Sequence, residues 1–304
     1  MRGGAALANR WKLPPLLVGL TIIAFGTSAP ELVVSIQSAL SGAPGLAVGN
    51  IVGSNIANFL LVLGLPALFG TIHTTTKGLR RNALFALAAA IALLGFGWDR
   101  QISTTESWIL LGAIVCYVSL LGFQARKSTD DPTLAELTDI EHIDGLPKTM
   151  PSIIFALIAG LVALPVGAQM VVTGGIAAAQ GLGVDPALVG LTAVALGTSL
   201  PELATVLMAS VRRQADLAIG NVLGSNIFNI FAVGGATGLA SAAIGTQLNV
   251  PEHFFSLDLW VMLGASVLIA GIVLLQRPIT RVLGAVLTIA YLAYIGFLAL
   301  PLLG

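Results

Sequence analysis

Long apolar runs separated by short polar intervals dominate the chain, at about residues 13–40, 46–70, 82–98, 106–124, 151–175, 184–211, 217–245, 255–275 and 281–302. Most reach the ~17–25 residues that a helix needs to cross hydrocarbon. The pattern therefore predicts an all-α, polytopic membrane protein with about nine transmembrane helices. One long polar interval, 125–150, carries Asp130, Asp131, Glu136, Asp139, Glu141 and Asp144. It divides the chain into a first unit, 1–124, and a second, 151–304, and is expected to stay in water. Two of the apolar runs are interrupted in the same way, by Pro30-Glu31 and by Pro201-Glu202.

Composition agrees with the pattern. Of 304 residues, 56% are hydrophobic and only 9% charged, with a mean hydropathy of +0.96, far from the soluble globular range. Formal net charge is zero and no basic face is present, so a nucleic-acid partner is not expected. The single cysteine, Cys116, lies in an apolar run and reads as a small buried hydrophobe. Residues 1–12 carry Arg2, Arg10 and Lys12 without the apolar core of a signal peptide.

The basic residues orient the helices, because Lys and Arg in short loops stay on the cytoplasmic side. Assigning loops alternately puts Arg2, Arg10, Lys12, Lys77, Arg80, Arg81, Arg126, Lys127, Lys148, Arg212, Arg213, Arg277 and Arg281 on one side, and Arg100 alone on the other. The 125–150 loop is then cytoplasmic and the C-terminus outside, in a cell (inner or plasma) membrane.

An internal duplication underlies the paired interruptions. Residues 19–64 laid on 190–235, an offset of 171 without a gap, match at 21 of 46 positions. The matches include Gly26-Thr27-Ser28 with Gly197-Thr198-Ser199, and Gly53-Ser54-Asn55-Ile56 with Gly224-Ser225-Asn226-Ile227. The interval around 41–46 has no basic residue, whereas its twin carries Arg212 and Arg213. The copies are thus expected to cross the membrane in opposite directions, the signature of a secondary transporter with its site near the midplane. Five helices fall in the second unit and four in the first. Two inverted repeats of five helices are expected, with the leading helix of the first absent from this chain.

The chemistry of the repeated stretch follows from its residue types. Proline lacks an N–H and crowds the carbonyl one turn earlier, so each helix opens there. The freed carbonyls belong to residues around Ala24 to Thr27 and Ala195 to Thr198. Exposed backbone at membrane depth is tolerated only inside protein or along a cavity. An acidic side chain there costs roughly 2.5–3.5 kcal/mol on insertion scales, which marks Glu31 and Glu202 as ion-site residues. Thr27, Ser28, Thr198 and Ser199 add hydroxyls, and Ser54, Asn58, Ser225 and Asn229 add neutral oxygens on one helix face. No His, Cys or Met joins them, and oxygen-only ligation selects hard cations, calcium before magnesium. Gly49, Gly53, Gly220 and Gly224 read as close-packing positions. Asn50, Asn55, Asn221 and Asn226 read equally well as site residues or as hydrogen-bond partners between helices. No base partners the motif serines, so an enzyme is not expected.

On these residues the chain resembles the cation/calcium exchanger superfamily, in its prokaryotic sodium/calcium exchanger branch. The matching motifs are G-T-S-x-P-E-L at Gly26–Leu32 and Gly197–Leu203, and G-N-x-x-G-S-N-I-x-N at Gly49–Asn58 and Gly220–Asn229. The resemblance implies ten helices in two inverted halves around four ion sites. Glu31, Glu202 and the Thr27 and Thr198 carbonyls would hold calcium. Sodium would use the Ala24 and Ala195 carbonyls with Ser28, Ser199, Ser54 and Ser225, and Asn58 and Asn229 would flank the centre. Access would alternate as the first helices of the halves slide. Asn at 229, where potassium-dependent relatives carry Asp, favours potassium independence. The expectation is antiport of calcium against sodium, with a calcium/proton or other divalent-cation antiporter as the alternative. No cofactor and no obligatory protein partner are expected beyond the ions and the bilayer.

Overall fold

The computed structural model describes residues 28–75, 78–125, 149–211 and 215–300. Helix α1 is Ala29–Leu40. Helix α2 runs through Pro44–Ala57, a π turn at Asn58–Val62 and Gly64–Ala67. Helices α3, Leu79–Phe96, and α4, Thr104–Ala125, complete the first half. The second half opens with α5, Met150–Leu182. Helix α6 joins Pro186–Val189, a π turn at Gly190–Val194 and Ala195–Thr198, and α7 is Leu200–Val211. Helix α8 joins Ala215–Phe228, a π turn at Asn229–Gly234 and Gly235–Ala243. Helices α9, Asp258–Leu274, and α10, Arg281–Ala299, follow.

Helix ends are set by local chemistry. Proline occupies the first turn of α1, α2, α5 and α6, where its missing N–H costs nothing. Asp185 accepts from Ala187 N at 2.8 Å to cap α6, and Thr149 and Ser152 form a capping box on α5. Gly42 and Gly183 end the preceding helices at φ of 73° and 67°, which L side chains rarely adopt.

Among the described residues, seven helical stretches are long and apolar enough to span a membrane. Helices satisfy their own backbone groups, which hydrocarbon requires, and the chain is a multi-pass membrane protein. The predicted run 151–175 lies within α5, and only the Ala29–Leu40 part of the run 13–40 is described as helix. Ala24, Thr27, Arg212, Arg213 and nearly all of the 125–150 interval lie outside the described residues.

The packing has an inside and an outside. The most apolar windows of α2 and α8 are 94% and 83% buried, against 28% for α4 and 22% for α10. Two glycine contacts explain how tightly α2 meets α6: a methyl on Gly49 would strike the Ala187 carbonyl, and one on Gly53 the Leu191 carbonyl. Cys116, expected in the core, is exposed on α4 instead. In a bilayer both faces of a helix can be apolar, so hydropathy does not separate lipid contact from core.

Loops gather on two opposite faces. On one, Ile72 bridges Ile279 and Thr74 Oγ1 donates to the Arg277 carbonyl at 2.9 Å. On the other, β1, Gln101–Ile102, pairs antiparallel with β2, Leu248–Asn249, and Arg100 meets Glu252 at 2.8 Å. The lone basic residue assigned to its own side thus stands apart from Arg277 and Arg281.

Candidate ion-binding site

Each Pro-Glu motif builds the same local backbone. Ser28 (φ −92°, ψ 10°) precedes α1 and Ser199 (φ −83°, ψ 2°) precedes α7. Leu32 N then donates to Ser28 O at 3.1 Å, and Leu203 N to Ser199 O at 3.0 Å. Proline cannot donate one turn back, so the helix breaks and restarts. Each restart puts a glutamate in a first turn, where the helix dipole favours negative charge.

The two restarts meet in the middle of the protein. Glu31 and Glu202 are both 0% exposed. Ser28 Oγ donates to Glu202 Oε1 at 3.3 Å across the two halves. Both carboxylate oxygens of Glu31, Oε2 of Glu202, Ser199 Oγ, Asn58 Oδ1 and Asn229 Oδ1 are buried without a geometric hydrogen bond. Buried polar atoms in native proteins nearly always have a partner. Six buried oxygens without partners, three of them carboxylate oxygens, make a donor set of the kind that hard cations accept.

Hydroxyls and amides hold the cluster together. Asn50 Nδ2 donates to Ser35 Oγ at 3.0 Å and to the Glu31 carbonyl at 3.4 Å, so its oxygen is left to accept from Thr198 Oγ1 at 3.0 Å. Ser54 Oγ lies 3.3 Å from Thr198 Oγ1 and donates to the Ala195 carbonyl at 3.5 Å. Asn58 and Asn229 each open a π turn, 171 residues apart. The first π turn packs on α7 and the second on α1, which brings each central asparagine to the opposite motif. Such turns widen a helix and recur at functional sites.

The structure therefore brings together Ser28, Glu31, Ser54, Asn58, Ala195, Thr198, Ser199, Glu202, Ser225 and Asn229; Ala24 and Thr27 are the two predicted members outside the described residues. The Ala195 carbonyl, expected to be free, receives Ser199 N at 3.0 Å as well as hydroxyls. Sequence reasoning left Asn50 undecided and passed over Ser35, although Ser35 lies one turn after Glu31 on the same face. It also missed the π turns, which no residue pattern announces. Beside Thr198, a cavity of ≈ 490 Å³ opens between α1, α5 and α6, lined by Pro30, Val34, Gly167, Gly174 and Val194 among others. Among the described residues no cluster of three or more His, Cys, Asp or Glu exists, so this centre relies on two charges and neutral oxygens.

A family model described as "Sodium/calcium exchanger protein" matches residues 1–123 and 152–300. The chain belongs to the sodium/calcium exchanger family. It is 35% identical over 305 residues to the putative antiporter CaxA of Alkalimonas amylolytica, covering 96% of this chain and 90% of that one. The sodium/calcium exchanger MaX1 of Methanosarcina acetivorans is 29% identical over 326 residues, 97% of this chain and 92% of its own. A solved structure of the sodium-calcium exchanger NCX_Mj, soaked with 10 mM Na+ and 10 mM Sr2+, superimposes with a TM-score of 0.65 at 28% identity, covering 97% and 90% of the two chains. The family is one of transporters within the cation/calcium exchanger superfamily, and this member is a cation/calcium antiporter.

Proposed function

We propose that the protein exchanges calcium for sodium across the membrane by alternating access to a single shared cluster. The observation that carries this reading is the pair of fully buried carboxylates with unpartnered oxygens at the junction of the two repeats. Two charges match one divalent ion, and calcium accepts irregular shells of 6–8 oxygens. In this reading Glu31, Glu202 and the carbonyls of Thr27 and Thr198 hold calcium. Sodium uses Ser28, Ser54, Ser199 and Ser225 with the Ala24 and Ala195 carbonyls, and Asn58 and Asn229 flank both. Occupancy is mutually exclusive, because both ions need the same carboxylates. Coupling follows if the empty cluster crosses poorly, since bare charge in hydrocarbon is penalised.

Related proteins support the choice of ions. MaX1 is named a sodium/calcium exchanger, and NCX_Mj has been solved after soaking with 2.5 mM Na+ and 0.1 mM Ca2+. The cavity beside Thr198 offers an approach from one side of the cluster. The repeats run in opposite senses in this reading, with the basic loop face cytoplasmic and the Arg100 face outside.

Radioactive calcium uptake into sodium-loaded proteoliposomes tests the proposal, with Glu31→Gln as control. Uptake that needs the outward sodium gradient and disappears in the variant is expected. Uptake driven by a proton gradient alone would reassign the counter-ion, and no calcium flux under either gradient would remove calcium as the substrate.

A further inference from the structure

Four asparagines, Asn55, Asn58, Asn226 and Asn229, stand at the crossing of α2 and α8, and hydrogen bonds orient the amides of the first three. Asn226 Nδ2 lies 3.2 Å from the backbone carbonyl of Asn55. A carbonyl only accepts, so this atom is the amide nitrogen. The side-chain oxygen of Asn226 therefore faces the other way, where it accepts from Asn58 Nδ2 at 2.9 Å. Asn58 in turn has its nitrogen committed, and its oxygen is buried with no partner. A backbone carbonyl on one half thus dictates, through two amides, that Asn58 offers oxygen to a cation.

The related arrangement on the other side is incomplete. Asn55 is the twin of Asn226, and Asn229 the twin of Asn58. Asn55 Nδ2 donates at 2.7 Å to Ile51 O in its own helix rather than across to α8. That bond again settles the amide, leaving Asn55 Oδ1 buried and unpartnered. Both amide atoms of Asn229 are buried and unpartnered too. A free acceptor on Asn55 and a free donor on Asn229 therefore stand at pseudo-symmetric positions to the bond that Asn58 and Asn226 already make.

We propose that Asn226 and Asn55 are positioning residues for the central amides. Asn226 holds Asn58 with its oxygen available to the ion, and Asn55 accepts from Asn229 when a bound cation draws the Asn229 oxygen inward. Neither positioning residue touches the ion. The inference rests on the reading of the two-carboxylate cluster as the calcium site.

Equilibrium binding of radioactive calcium to the purified full chain tests it, using Asn58→Ala, Asn226→Ala and the double variant. Partners that orient a metal ligand typically matter by about 10–100-fold in affinity. Asn226→Ala is expected to weaken calcium binding roughly tenfold, and the double variant to bind no more weakly than Asn58→Ala alone. A merely structural role would make the two losses multiply. Unchanged affinity in Asn226→Ala, or multiplying losses, would overturn the proposal while leaving the calcium site intact. A wild-type chain that binds no calcium would instead remove the site reading on which the proposal stands. If Asn226→Ala is not monodisperse, Asn226→Ser serves: one hydroxyl cannot span both the Asn55 carbonyl and the Asn58 amide, and the same loss is expected. The matching pair, Asn55→Ala with Asn229→Ala, is expected to be non-additive in the same way.

Discussion

The two copies of the repeated motif share a backbone and differ in what their side chains touch. Ser28 and Ser199 break their helices at nearly the same angles, and Asn58 and Asn229 open their π turns at equivalent positions. Yet Glu202 receives a hydroxyl from Ser28 while both oxygens of Glu31 are unpartnered, and Asn58 is pinned where Asn229 is not. Beyond the glutamates the faces diverge further: Ser35 and Ser38 follow Glu31 on α1, whereas their twins on α7 are Val206 and Ala209. Duplication conserves what the backbone needs, and the hydrogen-bond pattern is free to break the symmetry. A protein that alternates between two access states requires such a break, because two equivalent halves in identical arrangements would open to both sides or to neither.

Six substitutions test how deep the symmetry runs. The largest effect is expected where the halves are equal in chemistry. Glu31→Gln and Glu202→Gln each remove one of two charges facing a divalent ion, and both are expected to lower calcium affinity by about 100-fold or more, since ligand charge tunes such sites over decades. A calcium titration in which either variant keeps wild-type affinity would mean that one carboxylate is structural. Next comes Thr198→Val, nearly isosteric but without the hydroxyl that Asn50 Oδ1 accepts at 3.0 Å. A buried acceptor left unpaired costs about 1–3 kcal/mol, so calcium uptake should need roughly tenfold more calcium for half-saturation.

Smaller effects separate the twins directly. Ser54→Ala breaks contacts to Thr198 and to the Ala195 carbonyl in the other half, whereas Ser225 bonds Asn221 one turn back in its own helix at 3.4 Å. Sodium half-saturation is expected to shift about fivefold for Ser54→Ala and less for Ser225→Ala; equal shifts would show that the asymmetry has no consequence for the ions. Least of all, Arg100→Ala removes a pair whose side chains are 56% and 72% exposed. Exposed ion pairs contribute within about 1 kcal/mol, so thermal unfolding in detergent should move by only a few degrees, with transport unchanged.

Much of this architecture is legible in the chain itself. Hydrocarbon imposes a length on each helix and forbids unpaired backbone, so apolar runs such as 82–98 and 106–124 anticipate α3 and α4 to within a few residues. The burial of Glu31 and Glu202 was legible for a related reason, because a carboxylate beside a proline in an apolar run is costly in hydrocarbon and draws attention to its position. Cys116 was not recoverable, since lipid and protein core reward the same side chains. Nor was the role of Asn50, whose amide acts on Thr198, 148 residues away.

Residue order by itself determined that the protein is an all-helical membrane protein, that it contains a duplication, and that Glu31 and Glu202 stand at its centre. These are properties of hydropathy, repetition and charge, which are carried along one dimension. The tertiary structure alone decided which oxygens are left without partners and which way each amide points. Those outcomes depend on distances of about 3 Å between residues on different helices, and a hydrogen-bond donor at that range is set by the packing of both halves together.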